Sequence, residues 1–157
     1  MSTRGAMALW LALALPVLGA CEDGVSWSGA EKDNASHLFR SLESASLAAQ
    51  EANQLEPGWE PGSEEVAPVL NHLNNAITQA LLVQESVLVK AHPELRQRFR
   101  SEYLPALRQL RNYYREGEYR SPYHPAERLG DFTEWFWGHQ HEFRWWRGYE
   151  EDMDLIE

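Results

Sequence analysis

The chain has 157 residues, with 24 acidic against 14 basic side chains and a formal charge of −10. That balance disfavours nucleic acid and anionic lipid surfaces as general partners. Cys21 is the one cysteine, so no internal disulfide and no Cys-x-x-Cys-His haem attachment is available, and a domain of this length must rest on its packed core.

Met1 to Met7 is short and carries one positive charge, Arg4, and Ala8 to Leu18 is an apolar run of 11 residues. A membrane-crossing helix needs about 20 such residues, so this run is too short to be one. Gly19 and Ala20 are small, and the segment has the three parts of an export signal. Leu18-Gly19-Ala20-Cys21 resembles the lipobox of bacterial lipoproteins. The resemblance covers residues 1–21 only. It implies a cleaved signal peptide over residues 1–20 and a lipid-modified Cys21 as the first residue of the mature chain. Such acylation anchors a protein stably once two or more chains are attached. The implied address is the bacterial cell membrane, with the domain facing the periplasm. The implied partners are the membrane, through the anchor, and another envelope protein.

Residues 21–28 read as the tether, which at full extension reaches roughly 25–30 Å. Ser28-Gly29-Ala30-Glu31 matches a capping box and opens a first helix. Ala35, Leu38, Leu42, Ala45, Ala49 and Ala52 then recur at helical spacing and give it a face of small residues. The doubled Glu-Pro-Gly at 56–58 and 60–62 ends it. Ser63 is expected to cap a second helix, whose apolar stripe runs unbroken from Val66 to Ala91. Leu82, Val83 and Val89 lie off that stripe, which suggests contacts on two sides. A third helix is expected from Pro93 to Gly117, kinked near Ser101 because Pro105 removes a backbone donor. Residues 118–130 read as a connection. Asp131-Phe132-Thr133-Glu134 resembles a second capping box and predicts a fourth helix to about Gly148, followed by an acidic tail over 150–157. The expected fold is therefore all-α: a four-helix up-down-up-down bundle over residues 29–149.

Two features stand out as candidate interaction surfaces. Residues 132–149 hold eight aromatics, too many for one stripe, so Trp135, Trp137, Trp145 and Trp146 are candidates for an exposed patch. The competing reading puts them in the core, filling gaps left by the alanine face of the first helix. Arg96, Arg100, Arg108, Arg111 and Arg115 form a stripe on the third helix, suited to anion binding or to ion pairs with the acidic flanks of helices one and four.

Metal chemistry has weaker signals. Asp33 with His37, and His139 with Glu142, could supply ligands inside a bundle. His139 and His141 lie about 200° apart on a helix, and the Glu-x-x-His of di-iron bundles is absent. No metal site, cofactor or catalytic residue is assigned, because no nucleophile elbow, phosphate loop or zinc-protease pattern occurs. The sequence thus favours a membrane-anchored, non-catalytic binding or adaptor module of the cell envelope. A ligand- or metal-binding periplasmic bundle is the alternative.

Overall fold

The computed structural model describes residues 25–153. The expected signal peptide over residues 1–20, Cys21, the expected tether up to Gly24 and residues 154–157 of the expected acidic tail lie outside the described residues. Within them the chain is all helical, without a strand, and no helix is long and apolar enough to cross a membrane.

Helix α1 spans Gly29–Asn53 and opens on the expected capping box. The Glu31 amide donates to Ser28 Oγ at 3.1 Å, and the Ser28 amide donates to Glu31 Oε1 at 2.9 Å. The loop after α1 turns at Gly58 and Gly62, both at positive φ. It is fastened to the chain just ahead of Gly117, where the Gly62 amide donates to Tyr114 O at 3.0 Å. A Cβ on Gly62 would stand 3.0 Å from the Arg115 carbonyl, so both the φ and the close approach require glycine there.

The second helix differs from expectation at both ends. Ser63 does not cap it: its hydroxyl donates to Glu60 O at 2.7 Å and closes the preceding turn. After a 3₁₀ turn over Glu64–Val66, α2 spans Ala67–Leu81 with Pro68 in its first turn. The unbroken stripe to Ala91 is interrupted at 82–84, and α3 spans Glu85–Ala91. Asn34 of α1 supports the break. Its Nδ2 donates to Leu82 O at 2.9 Å and its Oδ1 accepts from the Gln84 amide at 2.8 Å, so two backbone groups orphaned by the interruption are satisfied by one side chain. Leu81, Leu82 and Val89 are consequently exposed, and only Val83 packs on the core.

The Pro105 kink takes the form of a π-helical stretch. Helix α4, Leu95–Arg98, runs through Phe99–Tyr103 in π geometry into α5, Leu104–Glu116. Proline has no amide for the Ser101 carbonyl. Arg128 takes that place, its guanidinium donating to Ser101 O at 3.3 Å. Gly117, at φ +86°, ends α5 as expected.

The fourth segment is the largest correction. Helix α6 spans Pro125–Gly138, so it starts within the expected connection and stops ten residues short of Gly148. His124 caps it, Nδ1 accepting from the Ala126 amide at 3.1 Å, and Pro125 occupies the first helical position. Asp131 is exposed in the helix interior and caps nothing. A 3₁₀ turn, Gln140–Glu142, leads into extended chain at Phe143, which is tied across the molecule where the Arg144 amide donates to Ala91 O at 2.8 Å. The segment expected as an acidic tail begins as a helical turn, α7 at Tyr149–Asp152, and Met153 is buried.

Helix α1 packs along α2, α2 against α5, and α5 against α6. Helices α1 and α6 do not pack along each other. The two ends of α1 meet different fates. Its N-terminal half is covered by the 143–146 segment, with Phe39 at 5.2 Å from the Trp145 ring and 6.1 Å from Trp146. Its C-terminal half, the alanine face, stays open toward α6.

An apolar groove and the candidate surfaces

The open side of α1 is a groove with a volume of about 760 Å³. Its floor is Leu42, Val69, Leu73, Leu110 and Tyr114. One wall is the small-residue face of α1, Ala45, Ala48, Ala49 and Ala52 with Ser46 and Asn53. The other wall comes from α6, where Ala126, Leu129, Gly130, Thr133 and Trp137 recur on one helical face. Tyr149, Glu150 and Met153 close one end.

The groove exists because of side-chain size. Alanines on α1 and Gly130 on α6 leave volume that leucines would fill, and a Cβ added at Gly130 would meet nothing within 4 Å. Two of its polar groups are occupied internally. Thr133 Oγ1 donates to the carbonyls of Leu129 and Gly130, each at 3.1 Å. Gln140 donates to Phe136 O at 2.8 Å and accepts from the Trp145 indole at 3.1 Å. Among the described residues Glu150 is the one charged residue on the lining. A cavity of this size, mostly apolar with a few polar groups, matches the general form of small-molecule sites.

The four candidate tryptophans separate. Trp135, Trp145 and Trp146 are at most 9% exposed and belong to the core, so the exposed-patch reading is corrected for all three. Trp145 and Trp146 escape the helix altogether, which frees them to pack on Phe39 and on Trp27, the latter at 5.7 and 5.3 Å. Trp137 alone is exposed, at 42%, on the groove wall. Arg98, outside the predicted stripe, lies 4.6 Å over the Trp135 ring.

The arginine stripe is largely solvated, and its pairing differs from the expected contacts with helices one and four. Arg100 and Arg96 meet Glu85 of α3 at 2.9 and 3.8 Å, and Arg115 meets Glu116 at 3.3 Å. Arg108 is exposed, with no ion pair among the described residues. Arg111 is half-buried and does not line the groove. Exposed pairs of this kind contribute little to stability.

The histidines build no metal site, although His92 and His141 both pair with Glu142, at 3.0 and 3.6 Å, and the His139 and His141 rings stack at 6.3 Å because the helix ends at Gly138. His37 Nδ1 lies 2.7 Å from Gln79 Oε1, and His139 Nδ1 lies 2.9 Å from Trp135 O, at the end of α6. Among the described residues no three His, Cys, Asp or Glu side chains come together as a metal ion requires. His92, read from sequence as isolated, is buried between Trp135 and Phe143. Its Nδ1 accepts from the Glu94 amide at 3.0 Å, so Nε2 carries the proton and donates to Glu142 Oε1 at 3.0 Å. That bond holds the Glu142 carboxyl below its ordinary pKa.

The sequence signal for the groove was the alanine face of α1. Sequence reasoning offers the aromatics of residues 132–149 as the filling of that face, and the structure leaves its C-terminal half open. No protein-family model matches the chain, and no curated protein or solved structure matches it.

Proposed function

We propose that this chain is a lipid-anchored protein of the bacterial envelope, facing the periplasm, whose helical domain is non-catalytic and binds a neutral apolar small molecule. The observation that supports the reading is the 760 Å³ groove between α1 and α6. Among the described residues no cationic side chain lines it, so a ligand with a carboxylate or phosphate head finds no partner there. On this reading α1, α2, α5 and α6 are an up-down-up-down set of four helices left open on the α1–α6 side, and the opening is the site. The Cys21 anchor would keep that site within a few nanometres of a bilayer, where apolar molecules are concentrated.

The test is extraction and displacement. Protein purified from its own envelope is extracted with organic solvent and the extract examined by mass spectrometry. Binding of the fluorescent probe N-phenylnaphthylamine is then titrated with neutral apolar molecules. A bound apolar species and competitive displacement are expected. An empty extract together with no probe binding would end the proposal.

A further inference from the structure

A second pocket, which shares no lining residue with the groove, carries charge of the opposite sign to the chain. A pocket of about 200 Å³ is lined by Val25, Trp27, Lys32, Arg144, Trp145, Trp146 and Arg147. Three of the seven are cations and none is an acid, in a chain with ten more acids than bases. The basic side chains Lys32, Arg144 and Arg147 form no ion pair and donate no side-chain hydrogen bond among the described residues. Two neighbouring carboxylates are engaged by other donors. Glu31 receives Lys90 Nζ at 2.8 Å, and Asp152 accepts from the Trp146 indole at 3.0 Å.

The frame behind these cations is rigid. The Trp27 indole donates to Arg144 O at 2.8 Å, and the Arg144 amide donates to Ala91 O at 2.8 Å. Both bonds fix the backbone from which Arg144 and Arg147 project. Lys32 Nζ stands 5.9 Å over the Trp146 ring. The Lys32 amide closes the first turn of α1 on Ser28 O at 3.0 Å, so Lys32 sits near the positive end of the helix dipole, where a cation is disfavoured. Gathering three cations there, without a carboxylate among the described lining residues, costs free energy that a bound anion would relieve.

We infer that Lys32, Arg144 and Arg147 form a binding site for a phosphate group, with the indole rings of Trp27 and Trp146 as its walls. Arginine forks donate to phosphate oxygens in pairs, and lysine supplies a point charge. The inference stands on this pocket alone and does not depend on the groove or on the anchor. The phosphate could belong to a free anion or to a phospholipid headgroup, which share this chemistry.

Lys32 and Lys90 are the only lysines in the chain, so amine acetylation of the full protein, read peptide by peptide by mass spectrometry, gives an internal ratio. The protein is labelled in chloride, in inorganic phosphate at equal ionic strength, and with phosphatidylcholine vesicles with or without phosphatidylglycerol. Slowed labelling of Lys32 relative to Lys90 in inorganic phosphate identifies a free anion as sufficient. Slowing only with phosphatidylglycerol identifies the headgroup. Arg144→Gln and, separately, the exposed Arg147→Gln should each weaken the protection by about tenfold or more. An unchanged Lys32 to Lys90 ratio in every arm overturns the inference. So does protection that survives both arginine substitutions in variants whose helical circular dichroism is intact.

Discussion

Gly130→Leu separates the groove's role in binding from any role in folding, because the two effects have opposite signs. Gly130 is in the interior of α6, on the groove wall, with nothing within 4 Å of an added Cβ. Glycine in a helix interior costs about 0.8–1.0 kcal/mol relative to a good helix former, so leucine should stabilise the fold by nearly that much. For a domain of this size that raises the melting temperature by a few degrees. The four side-chain carbons of leucine also occupy groove volume. Displacing a similar length of apolar ligand, at about 0.8 kcal/mol per CH₂, forfeits about 3 kcal/mol, or roughly a hundredfold in affinity. Thermal melting by circular dichroism reads the first effect and N-phenylnaphthylamine titration reads the second. A variant that melts higher yet binds the probe as tightly as the parent would refute the assignment of the ligand to this groove. A variant that melts lower would show that the space at Gly130 is not open.

Other outcomes follow from single contacts. Trp146→Ala, in the core, should destabilise by about 3–5 kcal/mol in urea titration, whereas Trp137→Ala should leave stability within about 0.5 kcal/mol and weaken probe binding. Ser41→Ala orphans the buried Tyr103 hydroxyl, which bonds Ser41 Oγ at 2.7 Å and whose pKa burial raises; it should cost about 1–3 kcal/mol. Adding Tyr103→Phe should recover part of that loss, and a strictly additive double-mutant cycle would contradict the bond. The hydrogen bond from Lys90 holds the Glu31 carboxyl below its ordinary value of 4.5. Its folded pKa is depressed, so its contribution is present above about pH 4.5 and is lost as pH falls through the lower folded value. Lys90→Met should flatten that part of the acid limb, which pH-dependent urea midpoints would reveal. Arg128→Met should leave the Ser101 carbonyl without its donor and lower the melting temperature measurably, since about 1 kcal/mol is at stake.

Where local chemistry alone decides an element, sequence reasoning was sufficient. The Ser28–Glu31 capping box, the Glu-Pro-Gly breaks, the Gly117 stop and the Pro105 distortion each depend on neighbours within a few residues, and each is found. Two local signals compete for the start of α6. His124-Pro125 and Asp131-Phe132-Thr133-Glu134 are both competent starts, and the earlier one leaves Asp131 exposed mid-helix. The interruption at 82–84 was invisible because its support, Asn34, lies about 50 residues away in sequence.

The candidate site follows the same division. Periodicity shows that α1 carries alanines and that residues 132–149 carry more aromatics than one stripe can bury. It cannot show where a helix ends when the terminating bonds come from distant backbone, as Arg144 to Ala91 does here. That one crossing sends Trp145 and Trp146 onto Phe39, covers the first half of α1 and leaves the second half facing open volume. Composition, charge and local capping determine an acidic, all-helical chain with a small-residue face. Whether that face meets a helix or a groove is decided by which long-range contacts fill space, and local sequence does not encode the distance between α1 and α6.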